Sequence, residues 1–169
     1  MNPTPTDSPA PWWRNTRGEW YVVVQFALFA LIALSSRLWP SGPAWPGALG
    51  TAATVGGLAL AVLGAALAVW GLAALGGNNL TALPYPTDEA TLTTSGPYAI
   101  VRNPIYSGLL LGAVGLGLWH HSLATLALSA GLFALFDVKT RKEQTWLTER
   151  FPEYSAYARR VKKLVPWVY

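Results

Sequence analysis

The sequence predicts an all-α fold: an integral membrane helical bundle of about four transmembrane helices plus a C-terminal amphipathic cytosolic helix. Of its 169 residues, 52% are hydrophobic and only 12% are charged. About a quarter of the residues of a soluble domain are charged, so this chain cannot cover its surface with polar groups. Four apolar stretches and a basic tail lead to the prediction of a single membrane domain over residues 20–169.

The first two elements are an arm and a span. Residues 1–19 are rich in Pro, Thr, Ser and Asn and contain no apolar run, which predicts a mobile N-terminal arm. Residues 20–36 carry no formal charge, and seventeen helical residues rise about 26 Å, close to the thickness of a hydrocarbon core. We therefore expect the first transmembrane helix there.

The second span, residues 47–77, carries a glycine strip, which we define as Gly50, Gly57, Gly64 and Gly71. Their spacing of seven residues places them along nearly one helix face, where another helix can approach closely in lipid. Packing within one bundle and packing between two bundles are both open. The alternative is that glycine is simply common in membrane helices.

The rest of the chain divides into a loop, a hairpin and a tail. The polar, proline-punctuated residues 78–103 are predicted to be a cytosolic loop. Short apolar spans at 104–119 and 122–136 are joined by His120 and His121, for which an interfacial turn is favoured over a metal site because no carboxylate is near in sequence. Residues 137–169 are predicted to form an amphipathic tail that lies on the membrane, with Asp137 paired with Lys139 or Arg141.

Charge placement predicts the topology. Eleven of the twelve Lys and Arg residues lie in the arm, the long loop and the tail, and only Arg37 lies on the opposite side of a four-span bundle. The positive-inside rule then places both termini and the long loop in the cytosol.

Several function classes are excluded by composition. The absence of cysteine excludes disulfides, thiolate metal sites and a cysteine nucleophile, and no metal site is predicted. The basic residues alternate with Trp, Leu and Tyr beside the spans, which argues against nucleic-acid binding. The spans lack the ionisable groups that ion-coupled transporters need.

The most informative motif is GPYAIVRNPIYSG at residues 96–108. Pro104 suits the first turn of a helix and Asn103 suits its N-cap, so free backbone N–H groups beside Arg102 would favour an anionic group of a ligand. The alternative is an interfacial arginine that only satisfies the positive-inside rule.

This motif, together with Asn79-Leu80-Thr81, Pro84, Pro86, KEQxWL, FPEYxxY and RVKKLVP, resembles bacterial members of the isoprenylcysteine carboxyl methyltransferase and phospholipid methyltransferase superfamily. The resemblance covers about residues 77–169. It implies an enzyme of the bacterial cytoplasmic membrane that transfers a methyl group from S-adenosylmethionine to a lipophilic acceptor from the bilayer, with membrane lipids as its other partners. The acceptor would resemble an isoprenylcysteine carboxylate or a phospholipid.

The resemblance also implies a site. Arg102 matches the family arginine of an Arg-His-Pro motif, and Glu143 matches the first glutamate of a Glu-Glu pair. Asn103 and Gln144 depart from the pattern, because the family usually has His and Glu there. Lys139 or Arg141 would supply a basic residue that precedes the pair. The candidate catalytic residues are Arg102, Glu143 and Asn103, and the candidate cofactor-binding residues are Tyr98, Val101, Arg102, Asn103, Pro104, Tyr106, Glu143, Gln144, Tyr154 and Tyr157.

Other interpretations remain open. Glu143 could be a solvated helix charge four residues after Lys139, and Tyr154 and Tyr157 could be interfacial anchors. A membrane NADPH-dependent reductase related to sterol reductases is one alternative function. Another is a non-catalytic membrane protein, in which the glycine strip and the amphipathic tail serve an assembly or a lipid-binding role.

Overall fold

The computed structural model describes residue 14 and residues 18–39, 44–79, 81, 83 and 90–169. Most of the predicted arm, residues 1–13 and 15–17, lies outside these residues, as do Leu80, Pro84 and Pro86 of the loop motif. The described residues form five α-helices and two short 3-10 turns, and they contain no strand. The all-α fold class is confirmed. The helices are α1 (Glu19–Leu38), α2 (Gly47–Leu75), α3 (Pro104–Trp119), α4 (Leu123–Arg150) and α5 (Tyr154–Arg160), with 3-10 turns at Gly77–Asn79 and Gly96–Ala99.

Three of the helices are long and apolar enough to cross a bilayer: α1, α2 and α4. The fourth predicted span, α3, is a shorter apolar helix of 16 residues. In the most apolar windows of α1 and α2 only 17% of the residues are buried inside the protein, and large side chains such as Phe26, Val55 and Val69 are exposed. Apolar surface on this scale requires a lipid environment. The chain is an integral membrane protein.

The glycine strip forms an intrachain contact. The helices pack in the order α2, α3, α4, α1. Gly57, Gly64 and Gly71 of the strip face α3, whereas Gly50 faces Trp45 and His121. A Cβ atom added at Gly64 would lie 2.5 Å from the carbonyl oxygen of Gly108 and 2.6 Å from the backbone nitrogen of Gly112. Gly57 lies equally close to the backbone of Gly115 and Trp119. The absence of side chains therefore brings two backbones together within one bundle.

The predicted span boundary at residue 136 does not coincide with the end of a helix. Helix α4 continues without a break from Leu123 to Arg150, so the first half of the tail extends the last span instead of forming a separate helix on the membrane. The helix ends before Pro152, and the seven-residue α5 follows. The charge pattern changes near Asp137 although the backbone hydrogen bonding of the helix continues.

The turn between α3 and α4 packs against the start of α2 and the residues before it. The Nδ1 atom of His121 accepts a hydrogen bond from the Trp45 N–H (3.1 Å), and its Nε2 atom lies 2.9 Å from the hydroxyl of Thr54. Both ring nitrogens are thus engaged with α2 and the residues that precede it. Among the described residues no group of three His, Cys, Asp or Glu side chains is placed to hold a metal ion.

Asp137 anchors the C-terminal segment to α4. Its carboxylate bonds Arg141 at 2.9 Å, as predicted, and also bonds Lys163 and the hydroxyl of Tyr169. These contacts hold Leu164, which is 2% exposed, in the core beside Phe136.

We expect Asp137→Asn to release this segment. The substitution removes the negative partner of a largely buried ammonium, Lys163, and should destabilise the protein by about 2 kcal/mol. Hydrogen exchange should speed up over residues 161–169 and stay unchanged in α2. Glu149→Gln, an exposed charge change on the same helix, is the control, and equal effects of the two would contradict the anchoring role.

Candidate active site

A cavity of about 400 Å³ lies where α3 begins and where α4 leaves its apolar half. All five helices and the loop between α2 and α3 contribute to its walls. The fold brings together seven of the residues selected from the sequence, which line this cavity: Tyr98, Arg102, Asn103, Tyr106, Glu143, Tyr154 and Tyr157.

Arg102 is held by both its backbone and its side chain. Its N–H donates to the carbonyl of Lys162 (2.8 Å). Its Nη1 donates to Gln144 Oε1 (3.2 Å) and lies 3.5 Å from the hydroxyl of Tyr154. Its Nε is buried and has no hydrogen-bond partner among the described residues. A partly buried guanidinium with a buried, unsatisfied Nε–H is suited to binding an anionic group.

Glu143 is not a solvated helix charge. Tyr106 donates a hydrogen bond of 2.6 Å to its Oε1, and the ring of Tyr106 stacks on Phe136 at 4.5 Å. One helical turn earlier, Lys139 is fully buried, donates to Gln25 Oε1 (2.8 Å) and lies 4.9 Å above the Tyr106 ring. Gln25, Tyr106 and Lys139 thus form a polar cluster that links α1, α3 and α4, and this cluster orients the carboxylate of Glu143.

Three of the four tyrosines that line the cavity, Tyr98, Tyr154 and Tyr157, lie outside the spans and remain protonated at neutral pH. Burial, with a smaller contribution from the nearby Glu143 carboxylate, raises the pKa of Tyr98 to about 12. Burial also raises the pKa of Tyr154, although Arg102 partly opposes this, and it raises the pKa of Tyr157. The Tyr157 hydroxyl donates to the carbonyl of Tyr98 (2.6 Å). These tyrosines offer hydroxyls and ring faces, and none of them is a general base at neutral pH.

The other candidate residues, Val101, Pro104 and Gln144, do not line this cavity but adjoin or contact residues that do. Val101 is fully buried and pairs with Lys162 in an isolated β-bridge, and Pro104 is a buried first residue of α3. Gln144 bonds Arg102 but does not line this cavity.

Asn103 occupies the N-cap position of α3, as predicted, but its side chain does not cap the helix. Its Nδ2 donates instead to the carbonyl of Lys163 (3.0 Å), because residues 161–164 run alongside the motif.

Two residues of the cavity wall were not among the candidate site residues, Gln25 and Asn79. Gln25 lines the cavity from α1. It could have been identified in the sequence as a lone polar residue in an apolar span. Asn79 anchors the loop: its Nδ2 donates to the carbonyl of Leu75 (2.8 Å), and its Oδ1 accepts from the Thr91 N–H (2.7 Å).

The wall changes from polar to apolar. The polar groups of Arg102, Glu143 and the tyrosines meet an apolar surface formed by Leu72, Ile105 and Leu109. Such a cavity can hold a polar, charged ligand beside a lipophilic one.

Comparison with known families gives a match to the phospholipid methyltransferase model over residues 52–154. This range is well over half of the chain and contains both Arg102 and Glu143. The chain belongs to the phospholipid methyltransferase family. The superfamily resemblance predicted from the motifs is confirmed.

Three relatives of this family member are informative. It is 36% identical over 154 residues to the cobalt-zinc-cadmium resistance protein CzcN of Cupriavidus metallidurans, which covers 90% of this chain and 64% of the relative. It is 33% identical over 165 residues to the nickel-cobalt-cadmium resistance protein NccN of Alcaligenes xylosoxydans xylosoxydans. This match covers 97% of this chain and 70% of the relative. A probable protein-S-isoprenylcysteine O-methyltransferase of Oryza sativa subsp. indica is 34% identical over 83 residues. This match covers 48% of this chain and 44% of the relative. The chain thus spans less than two thirds of the first relative.

Proposed function

We propose that this family member transfers a methyl group from S-adenosylmethionine to a lipophilic or amphiphilic acceptor, of the isoprenylcysteine-carboxylate or phospholipid type. The proposed location is the cytosolic face of a bacterial cytoplasmic membrane, with both termini in the cytosol. One observation carries the proposal: a single cavity joins a partly buried guanidinium, with its unsatisfied Nε, and an oriented carboxylate to an apolar wall.

The residues of the cavity fit S-adenosylmethionine. When bound, this cofactor supplies a methyl group on a positively charged sulfur. Arg102, through its unsatisfied Nε, would hold the cofactor's carboxylate. Glu143 would accept hydrogen bonds from its ammonium group or ribose hydroxyls. The neutral ring faces of Tyr154 and Tyr157 would stabilise the positive sulfur.

The acceptor would lie against Leu72, Ile105 and Leu109. Methyl transfer between two bound reactants depends mainly on holding them in line and excluding water. The Asn103 amide cannot accept a proton at neutral pH, and its Nδ2 is engaged with the chain. These features favour an acceptor that is nucleophilic without proton removal at position 103, as a carboxylate is.

Calorimetry on the purified full chain in nanodiscs tests this function. We expect saturable binding of S-adenosylmethionine and S-adenosylhomocysteine and no binding of NADPH. Transfer of a labelled methyl group should then be screened with lipid extracts as acceptors. Because two relatives are named metal-resistance proteins, the extracts should include cells grown with cobalt and cadmium. Binding of NADPH, or no cofactor binding by folded protein, would overturn the proposal.

Tyr106→Phe should weaken S-adenosylmethionine binding by roughly tenfold. The substitution removes the 2.6 Å hydrogen bond to Glu143, and a hydrogen bond to a charged group contributes about 1.5–3 kcal/mol. The stacking on Phe136 is retained, so the protein should remain folded, with an unfolding temperature lowered by the loss of this one hydrogen bond. An unchanged dissociation constant, measured by calorimetry, would show that this hydrogen bond does not orient Glu143 for the cofactor.

A further inference from the structure

A second, more open cavity of about 910 Å³ lies between α4 and the C-terminal segment, and Arg102 lines it as well. We call it the basic groove. Five cationic residues line it against one acidic residue, and Asp137, which bonds Lys163 and Arg141, adds a second carboxylate nearby. Five positive and two negative groups leave a net charge of +3. The charged residues of the groove are Arg102, Arg141, Arg159, Lys162, Lys163 and Glu149.

The groove lies beside the apolar half of α4. Val168 and Tyr169 are among its lining residues, and the Tyr169 ring lies 6.0 Å from Phe133 on that half of α4. Beside them, Trp167 is 84% exposed and Val168 is 75% exposed. An exposed tryptophan beside a spanning helix is typical of a membrane–water interface. The groove is therefore lined by cationic residues, and the exposed apolar residues Trp167 and Val168 lie beside it and face the bilayer.

We propose that the basic groove binds the headgroup of an anionic phospholipid, whose acyl chains lie beside Trp167 and Val168. Charge complementarity selects such a lipid over a zwitterionic one, since arginine and lysine side chains bind phosphate strongly and each contributes at a charged membrane surface. The bound lipid would also stabilise the candidate active site. Lys162 accepts the backbone hydrogen bond of Arg102 at 2.8 Å, and the Arg102 side chain lines both cavities.

Native mass spectrometry of the full chain, released from detergent with added phosphatidylglycerol or phosphatidylcholine of the same acyl chains, tests this site. We expect one phosphatidylglycerol to be retained in preference to phosphatidylcholine. The double variant Arg159→Gln with Lys162→Gln should weaken that binding by at least about tenfold. The matched control is Lys142→Gln with Arg160→Gln, which removes the same charge from exposed positions of α4 and α5 outside the groove and should retain the lipid.

Three results would overturn the proposal. Equal retention of the two lipids would show that charge does not select the occupant. Equal losses in the two double variants would show a dependence on net charge alone. Glycerol 3-phosphate that binds as tightly as the lipid would identify a site for a free phosphoanion. None of these measurements uses S-adenosylmethionine or methyl transfer, so the outcome does not depend on the proposed function.

Discussion

Alanine at Arg102 or at Glu143 is expected to weaken S-adenosylmethionine binding by about tenfold to a hundredfold while the protein remains folded. Each substitution removes a charged group from a water-poor cavity, where a charge-assisted hydrogen bond contributes about 1.5–3 kcal/mol. Arg102 has an unsatisfied Nε to offer, and Glu143 is oriented by the hydroxyl of Tyr106. Calorimetry in nanodiscs would measure the loss.

Conservative variants separate charge from geometry at these two positions. Arg102→Lys keeps the charge but loses the planar fork that matches a carboxylate, so we expect an intermediate affinity. Glu143→Gln keeps the shape and removes the charge, and it should bind nearly as weakly as Glu143→Ala if the carboxylate meets an ammonium group. Arg160→Ala, an exposed change outside both cavities, is the control. Normal binding by both alanine variants would remove these two roles.

The sequence predicted helix boundaries well where local chemistry defines them. Helix α3 begins at Pro104 and ends at Trp119 as predicted, because proline favours a first turn and two histidines form the next turn. The end of α4 was not predictable in the same way. Its backbone hydrogen bonds continue to Arg150 after the side chains become charged, so a change in hydropathy marks the edge of the apolar layer and not the end of the helix.

The residues of the candidate site could be selected from motifs, but their partners could not. Arg102 and Glu143 lie on different elements, and the contacts that orient them depend on how helices pack. Helix α1 is apolar on nearly all sides, so its periodicity does not indicate which face meets α4. The bond from Lys139 to Gln25 is therefore a result of tertiary packing. The same holds for Asn103, which bonds Lys163 instead of capping its own helix.

Leucine at Gly64 is expected to prevent α2 from packing on α3. Even a Cβ atom at this position would lie 2.5 Å from a backbone oxygen of Gly108, and backbone cannot move aside as a flexible side chain does. We expect a destabilisation of about 3 kcal/mol or more, measured as a lower unfolding temperature and a lower yield of monodisperse protein in detergent.

Gly56→Leu is the matched control, because a Cβ at Gly56 would meet no atom within 4 Å. It lies on the same helix and changes the same residue type, so its stability should stay within about 0.5 kcal/mol of the parent. Equal damage by both variants would point to insertion of α2 instead of its contact with α3. A stable Gly64→Leu variant would contradict the close contact itself. Because Ile105, next to Pro104 at the start of α3, also packs against Gly71 of the strip, loss of this contact should displace the motif that carries Arg102.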